Sequence, residues 1–159
     1  GLIGCGKIGQ ETAKRALALG MNVIAFDQNP DTSIKDIEFV DFDNLLVNAD
    51  VISLHIPASK SGYVIGEEQF NKMKDGAVLI NCSRGGTVDE KALLNALKSG
   101  KIAGAGLDVF EQEPAGEAQK DIIEHPRVSS TPHIGGSTKE AQFRVGIEIA
   151  ERMIAALKV

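Results

Sequence analysis

The first nine residues of this 159-residue chain, GLIGCGKIG, place glycines at positions 4, 6 and 9. That G-x-G-x-x-G spacing suits a tight turn from a strand into a helix, yet alone it is weak evidence, because 17 residues of the chain are glycine. Its surroundings carry more weight. Leu2 and Ile3 precede it as the end of an apolar strand, Gln10 to Leu19 follow with Ala13, Ala16 and Leu17 on one helical face, and Gly20 offers a left-handed stop. Asn22 to Phe26 then reads as a second strand that closes on Asp27, 18 residues after Gly9. A β–α–β unit of this form can cradle a dinucleotide. Gly4 permits the turn, Gly6 lets the backbone approach a pyrophosphate, Gly9 lets helix and strand pack closely, and the N–H groups near Lys7 and Ile8 face the phosphates. Asp27 would accept the adenosine ribose hydroxyls and repel a 2′-phosphate, which favours NAD over NADP.

Beyond this unit, β-rich runs and helical patterns keep alternating, the sequence form of a doubly wound parallel sheet (Rossmann-type α/β) with helices on both faces. Strands are expected at Glu38 to Val40, Val51 to Leu54, Ala77 to Ile80, Ala103 to Val109 and Val128 to Thr131, with a brief helical turn at Leu45 to Asn48 and a polar helix at Glu67 to Lys74. Thr87 and Glu90 have capping-box spacing ahead of a helix from Asp89 to Lys98. Ser137 and Glu140 have the same spacing ahead of a last helix, whose Phe143, Ile147, Ile154 and Leu157 form an apolar stripe.

Composition excludes several classes of function. With 17 basic and 22 acidic residues the net charge is −5, which argues against a nucleic-acid surface built on general basicity. No apolar run approaches the ~20 residues of a membrane helix. Two cysteines, Cys5 and Cys82, supply neither a zinc set nor a disulfide scaffold, so a cytoplasmic setting without structural metal is the expectation.

In a doubly wound sheet, ligand-binding groups gather at the C-terminal ends of the strands. The polar candidates there are His55, then Ser83 and Arg84, then Asp108 through Glu113, then His133. The segments GLIGCGKIG, SLHIP, NCSRGGTVDE, GAGLDVFEQEP and TPHIGGST that carry them resemble, in order, the D-isomer-specific 2-hydroxyacid dehydrogenases, and most closely the members that oxidise 3-phosphoglycerate. The resemblance covers essentially the whole chain as one NAD-binding domain, residues 1–159. The family's substrate domain lies outside it.

The resemblance implies a catalytic trio of Arg84, Glu113 and His133. Its reaction moves a hydride between NAD and C2 of a D-2-hydroxy acid. A base of near-neutral pKa suits removal of the hydroxyl proton, the part implied for His133. Glu113 would orient the imidazole and stabilise its charged form. Arg84 would grip the substrate carboxylate with its planar fork, with Gly85 and Gly86 leaving room for the approach. Glu111 competes with Glu113 on chemistry alone; the family pattern selects the acid directly before Pro114. By the same resemblance, Asp108 would meet the nicotinamide amide, and His55, Ile56 and Pro57 would flank the adenine side. Cys82 and Ser83 would stand near the nicotinamide, with Gly135 and Gly136 packed beside it. Homodimerisation through the nucleotide domain is also implied. Alternatives are a glycerate, glyoxylate/hydroxypyruvate or lactate dehydrogenase of the same family, or an NAD-sensing corepressor-like binding protein.

Overall fold

The computed structural model describes residues 1–31, 36–58 and 62–157. Seven short strands form one sheet among them: β1 (Leu2–Ile3), β2 (Ile24–Phe26), β3 (Glu38–Phe39), β4 (Val51–Leu54), β5 (Ala77–Asn81), β6 (Ile102–Leu107) and β7 (Val128–Ser130). Their order is β3-β2-β1-β4-β5-β6-β7, and every neighbouring pair is parallel. The chain builds outward from β1 to β3, then crosses back to place β4 on the other side of β1. Loops leaving β1 and β4 therefore diverge, and a crevice opens between them at the C-terminal edge of the sheet.

Among the described residues six helices accompany the strands: α1 (Lys7–Ala18), α2 (Phe42–Asn48), α3 (Glu67–Lys72), α4 (Glu90–Ser99), α5 (Lys120–Ile123) and α6 (Lys139–Leu157). The alternation of β1 sorts them onto two faces. Leu2 joins Cys5, Val23 and Ala25 against Ala13 of α1. Ile3 points the other way, into a larger core where Ile52, Leu54 and Leu79 of the sheet meet Leu45 of α2, Phe70 of α3, Leu93 and Leu97 of α4 and Ile122 of α5. Each fully buried Leu or Ile there contributes about 1.5–3 kcal/mol by leaving water. The doubly wound arrangement expected from the sequence is the one found.

The local corrections have physical causes. At α4 the cap is Asp89, whose carboxylate accepts the Ala92 N–H at 2.9 Å, and Gly100 ends the helix at φ +84°. Thr87 is not the cap: its buried hydroxyl donates to the Arg84 carbonyl at 2.7 Å. At α6 the cap is Thr138, which accepts the Ala141 N–H, in place of Ser137. The turn expected at Leu45 to Asn48 is a full helix from Phe42, capped by Asp41 through the Asn44 N–H. The loop expected between β6 and β7 contains α5 and a 3-10 turn at Glu117–Gln119. Finally, the apolar stripe of α6 buries nothing against the described residues; Phe143 and Leu157 are 70% and 68% exposed.

Candidate dinucleotide and acid–base site

The crevice between the β1 and β4 loops is a cavity of about 420 Å³ lined by Gly4, Gly6, Asp27, His55, Ile56 and Pro57. A second recess of about 260 Å³ shares His55, Ile56 and Pro57 and continues to Ile8, Cys82, Ser83 and Arg84. One groove thus runs from the end of β2, past β1 and β4, to the end of β5.

Glycine is required where the groove begins. Gly4 holds φ +92° while its N–H donates to the Phe26 carbonyl, and a Cβ on Gly9 would stand 2.3 Å from the Gly4 carbonyl oxygen. A Cβ on Gly6 would meet nothing within 4 Å, because that position faces the open groove. The α1 ladder starts with the Gln10 N–H bonded to the Gly6 carbonyl at 2.9 Å. The N–H groups of Lys7, Ile8 and Gly9 therefore precede the ladder, as an anion site requires. The Lys7 ammonium reaches away to Glu148 of α6, at 3.5 Å.

Asp27 accepts the Cys5 N–H at 2.7 Å with one oxygen and the Asn29 N–H at 2.9 Å with the other. These bonds fix the carboxylate at the groove wall. A carboxylate offers about four lone-pair sites, so capacity remains for two ribose hydroxyls. Across the groove, His55 is half-buried with Nε2 3.1 Å from the Ser53 hydroxyl, and burial holds its pKa below the ordinary histidine value. An uncharged ring suits a wall against which an adenine would lie. These features fit a dinucleotide. Of the cysteines, Cys82 is exposed at the groove and Cys5 is buried in the core under α1.

At the end of β5 the chain turns around Asn81, which is buried to 2% exposure. Its Oδ1 accepts both the N–H and the hydroxyl of Ser83, and its Nδ2 donates to the Thr87 hydroxyl and, at 3.3 Å, to the Arg84 carbonyl. Arg84 is exposed, with one guanidinium N–H on the Ser83 carbonyl at 2.6 Å. The role expected for Gly85 is corrected. A Cβ there would lie 1.8 Å from the Phe110 carbonyl oxygen, so Gly85 makes room for the next loop and not for an incoming ligand.

That next loop leaves β6 at Asp108. Asp108 is 4% exposed, and its carboxylate takes three donors: the Thr131 hydroxyl at 2.5 Å and the Ile134 and Gly135 N–H groups at 2.8 Å each. Burial alone would push its pKa up, but these donors more than offset it and hold the group below the ordinary aspartate value. Asp108 thereby anchors the segment that carries His133; the nicotinamide contact expected of it would use the one lone pair left over, on Oδ2. His133 sits at φ +56°, and its Nδ1 lies 2.7 Å from Glu113 Oε2. The other Glu113 oxygen accepts the Phe110 N–H at 3.2 Å. The hydrogen bond from His133, joined by that from Phe110, keeps the Glu113 carboxyl below the usual glutamate range.

Glu111 does not compete for the histidine. Its carboxylate accepts the Glu90 N–H at 3.2 Å and the Tyr63 hydroxyl. Sequence reasoning missed Asn81 and Gln119 and gave Thr87 and Glu90 a different part, as a capping box; all four hold loops in place. A polar residue ending the apolar run Ala77 to Ile80 was the available signal for Asn81.

The family model for the NAD-binding domain of the D-isomer-specific 2-hydroxyacid dehydrogenases matches residues 1–135. The chain belongs to that family and forms an NAD-binding domain of it. It is 50% identical over its full length to a hydroxypyruvate reductase of Thermotoga maritima, covering 53% of that protein. It is 46% identical to a D-3-phosphoglycerate dehydrogenase of Archaeoglobus fulgidus, over 99% of the chain and 31% of the relative. Among solved structures, the D-lactate dehydrogenase of Aquifex aeolicus, complexed with NAD and lactic acid, superposes with a TM-score of 0.88 at 37% identity, over 99% of this chain and 52% of that one. The chain thus spans about half the length of the reductase and the lactate dehydrogenase, and about a third of the phosphoglycerate enzyme.

Proposed function

We propose that the chain is the nucleotide-binding part of an oxidoreductase that moves a hydride between NAD and C2 of a small D-2-hydroxy acid. The observation that carries this reading is the 2.7 Å contact of Glu113 with His133, at the wall of a recess that Asp108, Phe110 and Pro114 also line, while Arg84 stands at the end of the groove. Gly4, Gly6, the N–H groups of Lys7 and Ile8, and Asp27 would hold NAD, whose nicotinamide supplies the hydride acceptor. Ile56, Pro57, Cys82, Ser83, Gly135 and Gly136 complete the contacts proposed for it.

Glu113 accepts a hydrogen bond from Nδ1 of His133, which leaves Nε2 without a proton and free to take one from the substrate hydroxyl. In reduction the same nitrogen returns the proton to the ketone oxygen. Arg84 pairs with the substrate carboxylate; its present bond to the Ser83 carbonyl is a resting position from which the fork swings outward. His133 and Arg84 then bracket C2, one at its oxygen and one at its carboxylate.

For the substrate, the phosphoglycerate dehydrogenases among the relatives support the 3-phosphoglycerate to 3-phosphohydroxypyruvate pair, a step of serine synthesis. The hydroxypyruvate reductase relative, at higher identity, supports the unphosphorylated glycerate to hydroxypyruvate pair. The domain pairs with a substrate domain outside this chain, works as a homodimer, and acts in the cytoplasm. The test is NADH formation by an enzyme carrying this chain, given NAD and each of 3-phosphoglycerate, D-glycerate and D-lactate. Turnover with one of them supports the reading and selects the acid. NAD binding by the chain with no turnover on any of them leaves a sensing protein and overturns the oxidoreductase.

A further inference from the structure

Glu113 stands on a stretch, Glu111 to Ala115, that is exposed throughout and contributes no apolar side chain to the core. Yet acid–base work needs its carboxylate held on His133 to within a fraction of an ångström. Hydrophobic burial ends at Phe110, so beyond it hydrogen bonds must supply that hold.

They converge on one side chain of the neighbouring helix. Glu90, the first residue of α4, accepts the Glu111 N–H on Oε1 at 2.6 Å and the Gln119 side-chain amide on Oε2 at 3.2 Å. Glu111 returns the first bond by accepting the Glu90 N–H, so two carboxylates that would repel side by side exchange backbone donors instead. Gln119, 5% exposed, passes the grip onward by accepting the Gly116 N–H at 3.1 Å. Glu90 therefore fastens the chain two residues before Glu113 and, through Gln119 and Gly116, three residues after it. We propose that Glu90 is a positioning residue for the acid–base pair, gripping the loop on both flanks of Glu113 so that Glu113 stays on His133.

The inference rests on the acid–base reading given above and adds a residue that touches neither histidine nor groove. Its chemistry is specific. Both Glu90 oxygens face donors, so a carboxylate satisfies the site where an amide would present one donor to another. Burial raises the Glu90 pKa, and the Glu111 N–H and the Gln119 amide work against that rise.

The test uses the chain labelled for carboxyl and imidazole NMR, as wild type, Glu90→Ala, Glu90→Gln and Glu113→Gln. In wild type, Glu113 titrates below the ordinary glutamate value of about 4.3. In Glu90→Ala that titration moves up toward the ordinary value, and the His133 ring loses its single Nδ1–H tautomer, while NAD affinity stays within twofold. Glu90→Gln, which keeps the volume and one of the two bonds, falls between. It carries the test alone if Glu90→Ala does not fold. An unchanged Glu113 titration and His133 tautomer in the folded Glu90 variants overturns the proposal. In an enzyme carrying the chain, Glu90→Ala lowers kcat by about tenfold to a hundredfold with the KM for NAD unchanged. If Glu113→Gln slows turnover and Glu90→Ala does not, this proposal alone fails. If Glu113→Gln leaves turnover intact, the acid–base reading fails whatever Glu90 does.

Discussion

The Gly85 α-carbon lies so close to Phe110 that a Cβ on it would stand 1.8 Å from the Phe110 carbonyl oxygen. The loop bearing Arg84 and the loop leading to Glu113 thus meet backbone to backbone, with no side chain between them to absorb a change.

Gly85→Ala should therefore displace both loops together. Overpacking of this kind costs about 1–3 kcal/mol. Thermal unfolding should show Tm lowered by several degrees, and amide chemical shifts should move in both segments. A shift confined to residues 82–87 would show that the two loops are independent.

Replacing Asp108 by Asn leaves one oxygen acceptor for three donors. The cost is about 1–3 kcal/mol for donors left unpaired, and hydrogen exchange at Ile134 and Gly135 should quicken. The pH dependence has a definite sign. A carboxylate whose folded pKa is depressed stabilises fully above its unfolded value, here 3.8, and that contribution is lost as pH falls through the lower folded value. The stability gap between wild type and Asp108→Asn in urea should be widest near neutrality and narrow below pH 3.8.

Asp27→Ala removes the proposed ribose acceptor together with its bonds to Cys5 and Asn29. Hydrogen bonds to a charged acceptor are worth about 1.5–3 kcal/mol each, so calorimetry should show NAD affinity lowered at least tenfold. Affinity equal to wild type would remove Asp27 from the site.

Asn81→Ala leaves the Arg84 loop without its buried organiser. The expected loss is about 1–3 kcal/mol of stability. In an enzyme carrying the chain, KM for the hydroxy acid should rise while KM for NAD holds. Equal loss of both would show that Asn81 supports the whole groove.

In the same enzyme, His133→Ala should lower kcat by about a hundredfold to ten-thousandfold, the usual worth of a placed acid–base group. Near-normal turnover would reassign the base.

What could be read in advance follows from how far each signal reaches along the chain. The glycine spacing, Asp27 and the apolar runs are local, and they placed β1, α1, β2 and the parallel, doubly wound class of the sheet. The pairing of His133 with Glu113 joins residues 20 apart, and only the resemblance separated Glu113 from Glu111. The Glu90–Glu111 exchange and the Gly85–Phe110 approach were illegible because they depend on how α4 and the β6 loop lie side by side. Thr87 misled for a related reason: its spacing to Glu90 suits a capping box, but Asn81 and the Arg84 carbonyl claim its hydroxyl. The length of α6 was readable, whereas its lack of cover against these residues was not.

At φ +56°, His133 occupies a backbone shape that a side chain pays for, at about 1–3 kcal/mol. Glycine would sit there more comfortably, and the same turn would still present the Ile134 and Gly135 N–H groups to Asp108. The backbone at position 133 therefore carries a local cost, set against the His133 bond to Glu113 that a glycine would lose. If His133 moves the proton as proposed, the backbone cost at that angle is carried at the very residue the chemistry needs, and a variant chosen for heat resistance alone would have reason to lose it.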